Sequence, residues 1–312
     1  MFTDREGRLH PAWAFLLSAL IACVAFAACG YFAAALAGDH VLRFEVIFRC
    51  CLAAALLAGF SWLLAVGNHV ESHRLAAQGL PLAPGWARDF LGGCGLGAGL
   101  VALAVSAVAS LGKVTFRGNL SLHSVSRCLL LLLVLLAGSL AEELMFRGYP
   151  FQRLVEAIGA GGAILVFSML FGLVHILNPG ASLWGLINTI VIGVVLSVAF
   201  LRTGALWLSW GFHFAWNATL GLLLGLPVSG IRLFNVVIHA TSAGPKWLTG
   251  GDYGIEASVP GAMVVLLGLV VIWRAPLRRI VDPSLYFPVS EPSDSPPPEL
   301  ANPSQPPPRL GL

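Results

Sequence analysis

Long apolar runs separated by short polar connections extend from the start of the chain to about residue 275. A helix needs about 20 apolar residues to cross a bilayer, where each backbone polar group has to be satisfied within the segment. Roughly eight runs approach that length, and they predict an all-α, polytopic membrane helix bundle of about eight transmembrane helices. The runs are residues 12–37, 46–66, 90–111, 128–147, 162–177, 183–201, 205–225 and 259–275.

The composition supports a membrane protein and excludes other classes. Charged residues make up 11 % of the 312 residues, against about 25 % in a typical soluble domain, and hydrophobic residues make up 57 %. A soluble fold could not bury so much apolar surface, and a disordered chain has far fewer apolar residues. A net charge of +3 provides no basic stripe for nucleic acid. We therefore expect the protein to lie in a lipid bilayer and to have no nucleic-acid partner.

Basic residues are distributed unequally between the two sides of the predicted bundle. Eight spans place both termini on one side, which carries eleven of the 18 Lys and Arg residues, and six lie on the other. Positive charge is enriched in cytoplasmic loops, so both termini are predicted to be cytoplasmic. Because the connections are short and no organelle signal is evident, we expect a multi-pass protein of a bacterial cell membrane.

Two regions are expected along the chain. Residues 1–275 are predicted to form one membrane-embedded, protease-like domain, and residues 276–312, with 11 of the 19 prolines, a disordered cytoplasmic tail. Glycines four residues apart in the third span permit close approach of another helix. They form two overlapping motifs, Gly93-x-x-x-Gly97 and Gly95-x-x-x-Gly99.

Ionisable side chains inside membrane spans are costly, so each one marks a candidate functional site. Glu142, Glu143 and Arg147 lie near the end of the fourth span. Glu143 and Arg147 are four residues apart and can pair, whereas Glu142 points about 100° away and is left free. A free carboxylate in a partly dry cavity is suited to taking a proton from water. The alternative is an interfacial ion pair beside a hydrated Glu142.

Other polar residues interrupt the later spans. His175 lies near the end of the fifth span, and His213 and Asn217 share one helix face in the seventh. Taken singly, they are also compatible with a core histidine and with hydrogen bonds between helices. Asn188 in the sixth span and Arg49 in the second are interpreted as having no obvious polar neighbour in sequence.

Together these motifs resemble the CAAX-protease and bacteriocin-processing (CPBP) family of intramembrane proteases, which includes the prenyl-protein endopeptidase of the eukaryotic endoplasmic reticulum. The family pattern is E-E-x-x-x-R, F-x-x-x-H and H-x-x-x-N/D on three successive core helices. The chain has the same three motifs in the same order, within a core of about residues 128–225. They are Glu142-Glu143-x-x-x-Arg147, Phe171-x-x-x-His175 and His213-x-x-x-Asn217.

The resemblance implies hydrolysis of a peptide bond in a cavity recessed into the bilayer, with a peptide or membrane-protein segment as substrate. In such a family, Glu142 and His175 would hold and activate the attacking water. His213 and Asn217 would stabilise the oxyanion that develops in the transition state.

The other motif residues would support these four. Glu143 with Arg147 would set the position and charge of Glu142. Phe171 would pack against the imidazole one turn later and shape the substrate pocket. Simple span counting leaves a conflict, because it places Glu142 and His175 towards opposite membrane faces. Either one helix has to extend further than its apolar run, or residues 148–162 have to lie within the membrane.

The presence of a metal stays open at the level of sequence. The H-E-x-x-H signature of zinc proteases is absent, yet two His and one Glu are a legitimate catalytic zinc set. Glu142, His175 and His213 are the candidate ligands of one divalent metal such as zinc. A metalloprotease and a glutamate protease without metal are both compatible with the motifs, and we favour the second.

Two other functions also fit the residues. A bacteriocin-immunity or regulatory membrane protein could use the same cavity to bind a peptide without cleaving it. A proton-coupled transporter could use the Glu and His residues as proton carriers, although the chain lacks a convincing internal repeat.

Overall fold

The computed structural model describes residue 3 and residues 9–67, 74–118, 122–232 and 237–279. The helices, in chain order, are α1 (Pro11–Ala37), α2 (Val41–Val66), α3 (Arg74–Ala77), α4 (Trp86–Ser110), α5 (Leu122–Phe146), α6 (Tyr149–Val174), α7 (Leu183–Thr203), α8 (Trp207–Asn217), α9 (Lys246–Thr249) and α10 (Val259–Arg274). A π-helical turn (Ala218–Leu223) continues α8, and two 3₁₀ turns (Gly251–Tyr253 and Ile255–Ala257) precede α10. Strands β1 (Val114–Gly118) and β2 (Ile238–Ser242) pair antiparallel, with Phe116 opposite Ala240.

The predicted all-α membrane helix bundle is confirmed, and each of the eight apolar runs falls largely on helix. Five helical stretches of the described residues are long and apolar enough to cross a membrane, with α5 and α6 taken as one stretch. α8 with its π turn and α10 are shorter, so membrane crossing by these two stays a prediction. The predicted proline-rich tail lies outside the described residues from residue 280 onward.

Close contact between α4 and α8 fixes the position of α8. A Cβ atom at Gly93 would collide with the backbone at Leu208, and one at Gly97 would collide with the carbonyl of Phe212. A Cβ atom built at Gly95 or at Gly99 would meet open space. Of the two predicted motifs, Gly93-x-x-x-Gly97 therefore forms the helix contact.

α6 is divided by a break at Gly159, whose φ of 81° and ψ of 163° are far from helical values. A positive φ is accessible to glycine because it has no Cβ. Before the break, Phe151, Gln152 and Arg153 are buried inside the bundle. The second part, residues 160–174, ends at His175, which is the C-cap residue.

Candidate active site

A cavity of about 80 Å³ lies among α2, α5, α6, α7 and α8 and the loop after the π turn. This volume is large enough to admit water. Five of the seven motif residues line it, namely Glu142, Phe171, His175, His213 and Asn217. The other two motif residues, Glu143 and Arg147, are fully buried beside His213. The fold thus brings all three motifs to one place.

Glu143, Arg147 and His213 form a buried charged cluster next to the cavity. Nη1 of Arg147 donates to Oε1 of Glu143 at 3.2 Å, which is the pair that their spacing predicts, and Nδ1 of His213 lies 2.9 Å from the same oxygen. Nη2 of Arg147 also donates to the carbonyl of Gly193 in α7 at 3.2 Å. Because the Glu143 carboxylate accepts, Nδ1 of His213 is the donor, and Nε2 is the ring nitrogen that faces Glu142.

Phe171 packs between the charged cluster and His175. The Arg147 guanidinium lies 4.4 Å from the centre of the Phe171 ring, a distance that allows a cation–π interaction. The His175 ring centre is 4.8 Å away, and the His213 ring lies edge-on at 6.0 Å. Phe171 therefore restrains the imidazoles of His175 and His213 from one side. Its contact with His175 is the one that the family resemblance implies.

Glu142 is the carboxylate of the motif that reaches the cavity. Its side chain is 29 % exposed, whereas that of Glu143 is fully buried. Oε2 of Glu142 lies 3.6 Å from Nε2 of His213, and Oε1 lies 3.9 Å from Nη1 of Arg49 in α2. The His213 ring and the Arg49 guanidinium orient the Glu142 carboxylate without covering it, so the carboxylate remains accessible to water.

His175 and Asn217 are placed by the ends of their helices. Nδ1 of His175 lies 2.6 Å from the carbonyl oxygen of Phe171, and a carbonyl only accepts, so Nδ1 carries the proton. Nε2 is then the ring nitrogen that can accept a proton or bind water. Asn217, the last residue of α8, is partly buried and lines the same cavity.

The conflict from span counting is resolved by the local structure of α6. Residues of the first part of the helix are buried inside the bundle, and the break at Gly159 separates this part from the second, which ends at His175. Glu142 and His175 consequently line one cavity although they lie near the ends of consecutive helices.

Residues 124–219 match the family model described as Type II CAAX prenyl endopeptidase Rce1-like. Over this segment the chain is similar to the CAAX-protease family. The resemblance predicted from the three motifs is confirmed, and all seven motif residues lie within the matched segment. No curated protein and no solved structure matches the chain.

The candidate metal ligands of this CAAX-protease segment do not form a metal-binding group. Among the described residues, no three His, Cys, Asp or Glu side chains are grouped closely enough to hold a metal ion. Glu142 approaches His213, and Nδ1 of His213 is bonded to Glu143 and that of His175 to a backbone carbonyl, so Nε2 is the only nitrogen of each ring that could hold a metal. Because Glu142, His175 and His213 are not grouped closely enough in the described part of the chain, they do not fit the pattern of three protein ligands and one water that catalytic zinc requires.

Three polar residues outside the CAAX-protease motifs contribute to the site or its walls. The interpretation of Arg49 as lacking a polar neighbour in sequence is wrong, because Glu45, four residues earlier, accepts from its Nε at 2.7 Å. Asn188 is buried in α7 and donates to the backbone carbonyl of Glu256 at 2.7 Å. Sequence reasoning missed Glu256, a buried carboxylate that also lines the cavity. Its position in an apolar segment just before the last span was the signal that could have identified it.

Proposed function

We propose that the protein is an intramembrane endopeptidase in which Glu142 activates water for attack on a peptide bond. The observation that carries the proposal is the convergence of Glu142, His175, His213 and Asn217 on one small cavity. A water-accessible carboxylate beside two imidazoles and an amide provides a base and several polar groups within one site. The CAAX-protease match of the same segment supports hydrolysis of a peptide bond over the two alternative functions.

The first step uses Glu142 and His175. Water binds between the Glu142 carboxylate and Nε2 of His175, and Glu142 removes one proton as the water oxygen attacks the carbonyl carbon. The product is a tetrahedral intermediate with a negative oxygen and a protonated Glu142. The proton then moves from Glu142 to the leaving nitrogen as the C–N bond breaks, which returns Glu142 to the carboxylate form.

The oxyanion requires donors that face the cavity. Asn217 provides an amide N–H group, and His213 provides Nε2–H when its ring is doubly protonated, with Nδ1–H directed at Glu143. The negative charges of Glu142 and Glu143 compensate such a ring. Arg147 neutralises Glu143 and keeps that carboxylate from moving.

The substrate in this proposal is a membrane-associated peptide or protein segment. A second, apolar cavity of about 600 Å³ adjoins the site, and Arg49, Glu142 and His175 line both cavities. Its walls come from α1, α2, α5 and α6 and consist mostly of aliphatic and aromatic side chains. This cavity favours a substrate with an apolar part next to the cleaved bond. The matched family is that of type II CAAX prenyl endopeptidases, and a prenyl group is one candidate for that part.

The test is cleavage of internally quenched peptides by the purified full-length chain in lipid nanodiscs. One peptide set ends in a farnesylated CaaX sequence, and a matched set carries the same sequences without the lipid. We expect Glu142→Gln to lower kcat by about 10²–10⁴-fold, the usual contribution of a general base. His175→Ala is expected to act similarly.

Asp39→Asn is the matched control, because it makes the same carboxylate-to-amide change in the exposed turn between α1 and α2. It should cleave as the wild type does. Binding of peptides without any cleavage would favour the immunity or regulatory function. Equal cleavage by wild type, Glu142→Gln and His175→Ala would overturn the proposed roles.

A further inference from the structure

Glu256 places a second carboxylate in the wall of the cavity, outside the segment that matches the CAAX-protease family. The residue lies in the 3₁₀ turn before α10 and is 4 % exposed. Oε1 accepts from Nε1 of Trp216 at 2.9 Å, and Oε2 accepts from the backbone N–H and from the hydroxyl of Ser229, the latter at 3.0 Å. Trp216 precedes Asn217 in α8, so Glu256 adjoins the cavity and not a separate pocket.

The contacts of Glu256 favour its ionised form. Three donors converge on its two oxygens, and a carboxylate is the form that accepts at both oxygens. Burial raises the pKa of the Glu256 carboxyl above its ordinary value, because the charge has lost most of its contact with water. No Lys, Arg or His side chain of the described residues forms an ion pair with it. The hydrogen bonds from Trp216 and Ser229, together with the nearby His175, oppose this effect of burial.

The charged groups at the cavity do not balance. Among the described residues, those that line it, or that pair with a lining residue or with Glu143, comprise two cations and four carboxylates, namely Arg49, Arg147, Glu45, Glu142, Glu143 and Glu256. A doubly protonated His213 would still leave one negative charge in excess. Uncompensated charge is costly in a site with little water, and a cation supplied by a ligand would offset that cost.

We propose that Glu256 forms an anionic subsite that binds a primary ammonium or guanidinium group of the substrate next to the cleaved bond. This inference rests on the proposed endopeptidase function and names one feature of its substrate. Asn178 and Ser229 line the same wall and add polar groups that suit a cation with several N–H donors. The subsite is distinct from Glu142, which acts on water.

The test compares three peptides that are identical except for one position, which carries lysine, norleucine or glutamate. Norleucine matches the lysine chain in length without its charge. The position is moved stepwise across the four residues on each side of the cleaved bond. At one position we expect the wild type to cleave the lysine peptide about 10-fold faster in kcat/KM than the norleucine peptide, as for a hydrogen bond to a charged group. The glutamate peptide should be the slowest.

Glu256→Gln should abolish the lysine preference, because the amide carries no negative charge while it retains an acceptor for Trp216 or Ser229. Asp252→Asn is the matched control, since Asp252 is exposed four residues earlier in the same connection. It should keep the preference. Equal kcat/KM for lysine and norleucine peptides at every position in the wild type would overturn the subsite even if Glu256→Gln does not fold. Retention of the preference in a folded Glu256→Gln protein would do so too.

Binding separates this inference from the proposed enzyme activity. His175→Ala retains both cavity carboxylates, so fluorescence anisotropy with the same labelled peptides measures recognition without turnover. Tighter binding of the lysine peptide by His175→Ala, lost on adding Glu256→Gln, would support the subsite even in a protein that cleaves nothing. Equal affinities for the lysine and norleucine peptides would contradict it.

Discussion

The two adjacent carboxylates of the first motif have opposite surroundings at the scale of single residues. Glu143 is fully buried and bonded to Arg147 and His213, whereas Glu142 is partly exposed at the cavity. The carboxylate of Glu143 thus stabilises the buried charged cluster, whereas the carboxylate of Glu142 reaches water. We expect loss of Glu143 to act mainly on stability and loss of Glu142 mainly on activity.

Glu143→Gln leaves the guanidinium of Arg147 buried without a carboxylate. Breaking a buried ion pair in this way costs about 3–5 kcal/mol, and we expect a loss of that order in the free energy of unfolding. Denaturation of the purified protein in detergent measures it. Glu143→Gln/Arg147→Met removes both charges and should recover part of the loss. Wild-type stability of the single variant would contradict the buried pair.

Chelation tests the absence of a metal-binding group among the described residues. Because the candidate ligands Glu142, His175 and His213 do not form such a group, cleavage should survive extended dialysis against a zinc chelator. Metal analysis of the active protein is the accompanying measurement. Activity that is lost on chelation and restored by one equivalent of zinc would contradict the metal-independent step.

Local spacing predicted some contacts of the site but not those between distant helices. Glu143 and Arg147 pair because a helix brings residues four apart together. The same rule applied to Glu45 and Arg49 would have corrected the interpretation of Arg49. The approach of Arg49 to Glu142 depends on how α2 packs against α5, which periodicity in either helix does not determine.

At the scale of elements, the contact of α4 with α8 provides a matched pair of variants. Gly97→Ala would place a methyl group against the carbonyl of Phe212, the residue before His213. We expect α8 to shift and kcat to fall by about 10-fold or more, since small displacements of catalytic groups are costly. Cleavage of the quenched peptides measures the effect.

Gly99→Ala is the control, because the added methyl group meets open space on the same helix. It should gain about 1 kcal/mol of helix propensity and keep full activity. Equal loss in both variants would indicate a general effect of alanine in α4, and full activity of Gly97→Ala would show that the helix contact does not position His213.

The elements themselves were largely predictable from apolar periodicity, and their breaks were not. The run at 183–201 corresponds to α7 (Leu183–Thr203) almost residue for residue. The predicted span 162–177 covers only the later part of α6, because residues 149–158 contain polar side chains that the bundle buries. Burial of Gln152 and Arg153 depends on neighbouring helices, so the local pattern alone could not indicate it.

At the scale of the whole molecule, the short sheet constrains the number of crossings. β1 lies between α4 and α5, and β2 follows the π turn after α8, yet the two strands pair. Paired strands lie on one side of a membrane, so the chain between them crosses an even number of times. Four crossings by α5, α6, α7 and α8 satisfy this condition and agree with the eight predicted spans.

The pairing leads to a prediction about orientation. If α1, α2 and α4 cross before β1 and α10 crosses after β2, both termini are expected on the side opposite the sheet, and the charge distribution predicts that this side is cytoplasmic. Green fluorescent protein at the C-terminus should therefore fluoresce in intact bacterial cells. Alkaline phosphatase inserted at Gly112, in the exposed turn before β1, should be active. A fluorescent insertion at Gly112 with an active C-terminal phosphatase would reverse the orientation. If both sites reported the same side, the odd number of crossings predicted between Gly112 and the C-terminus would be wrong.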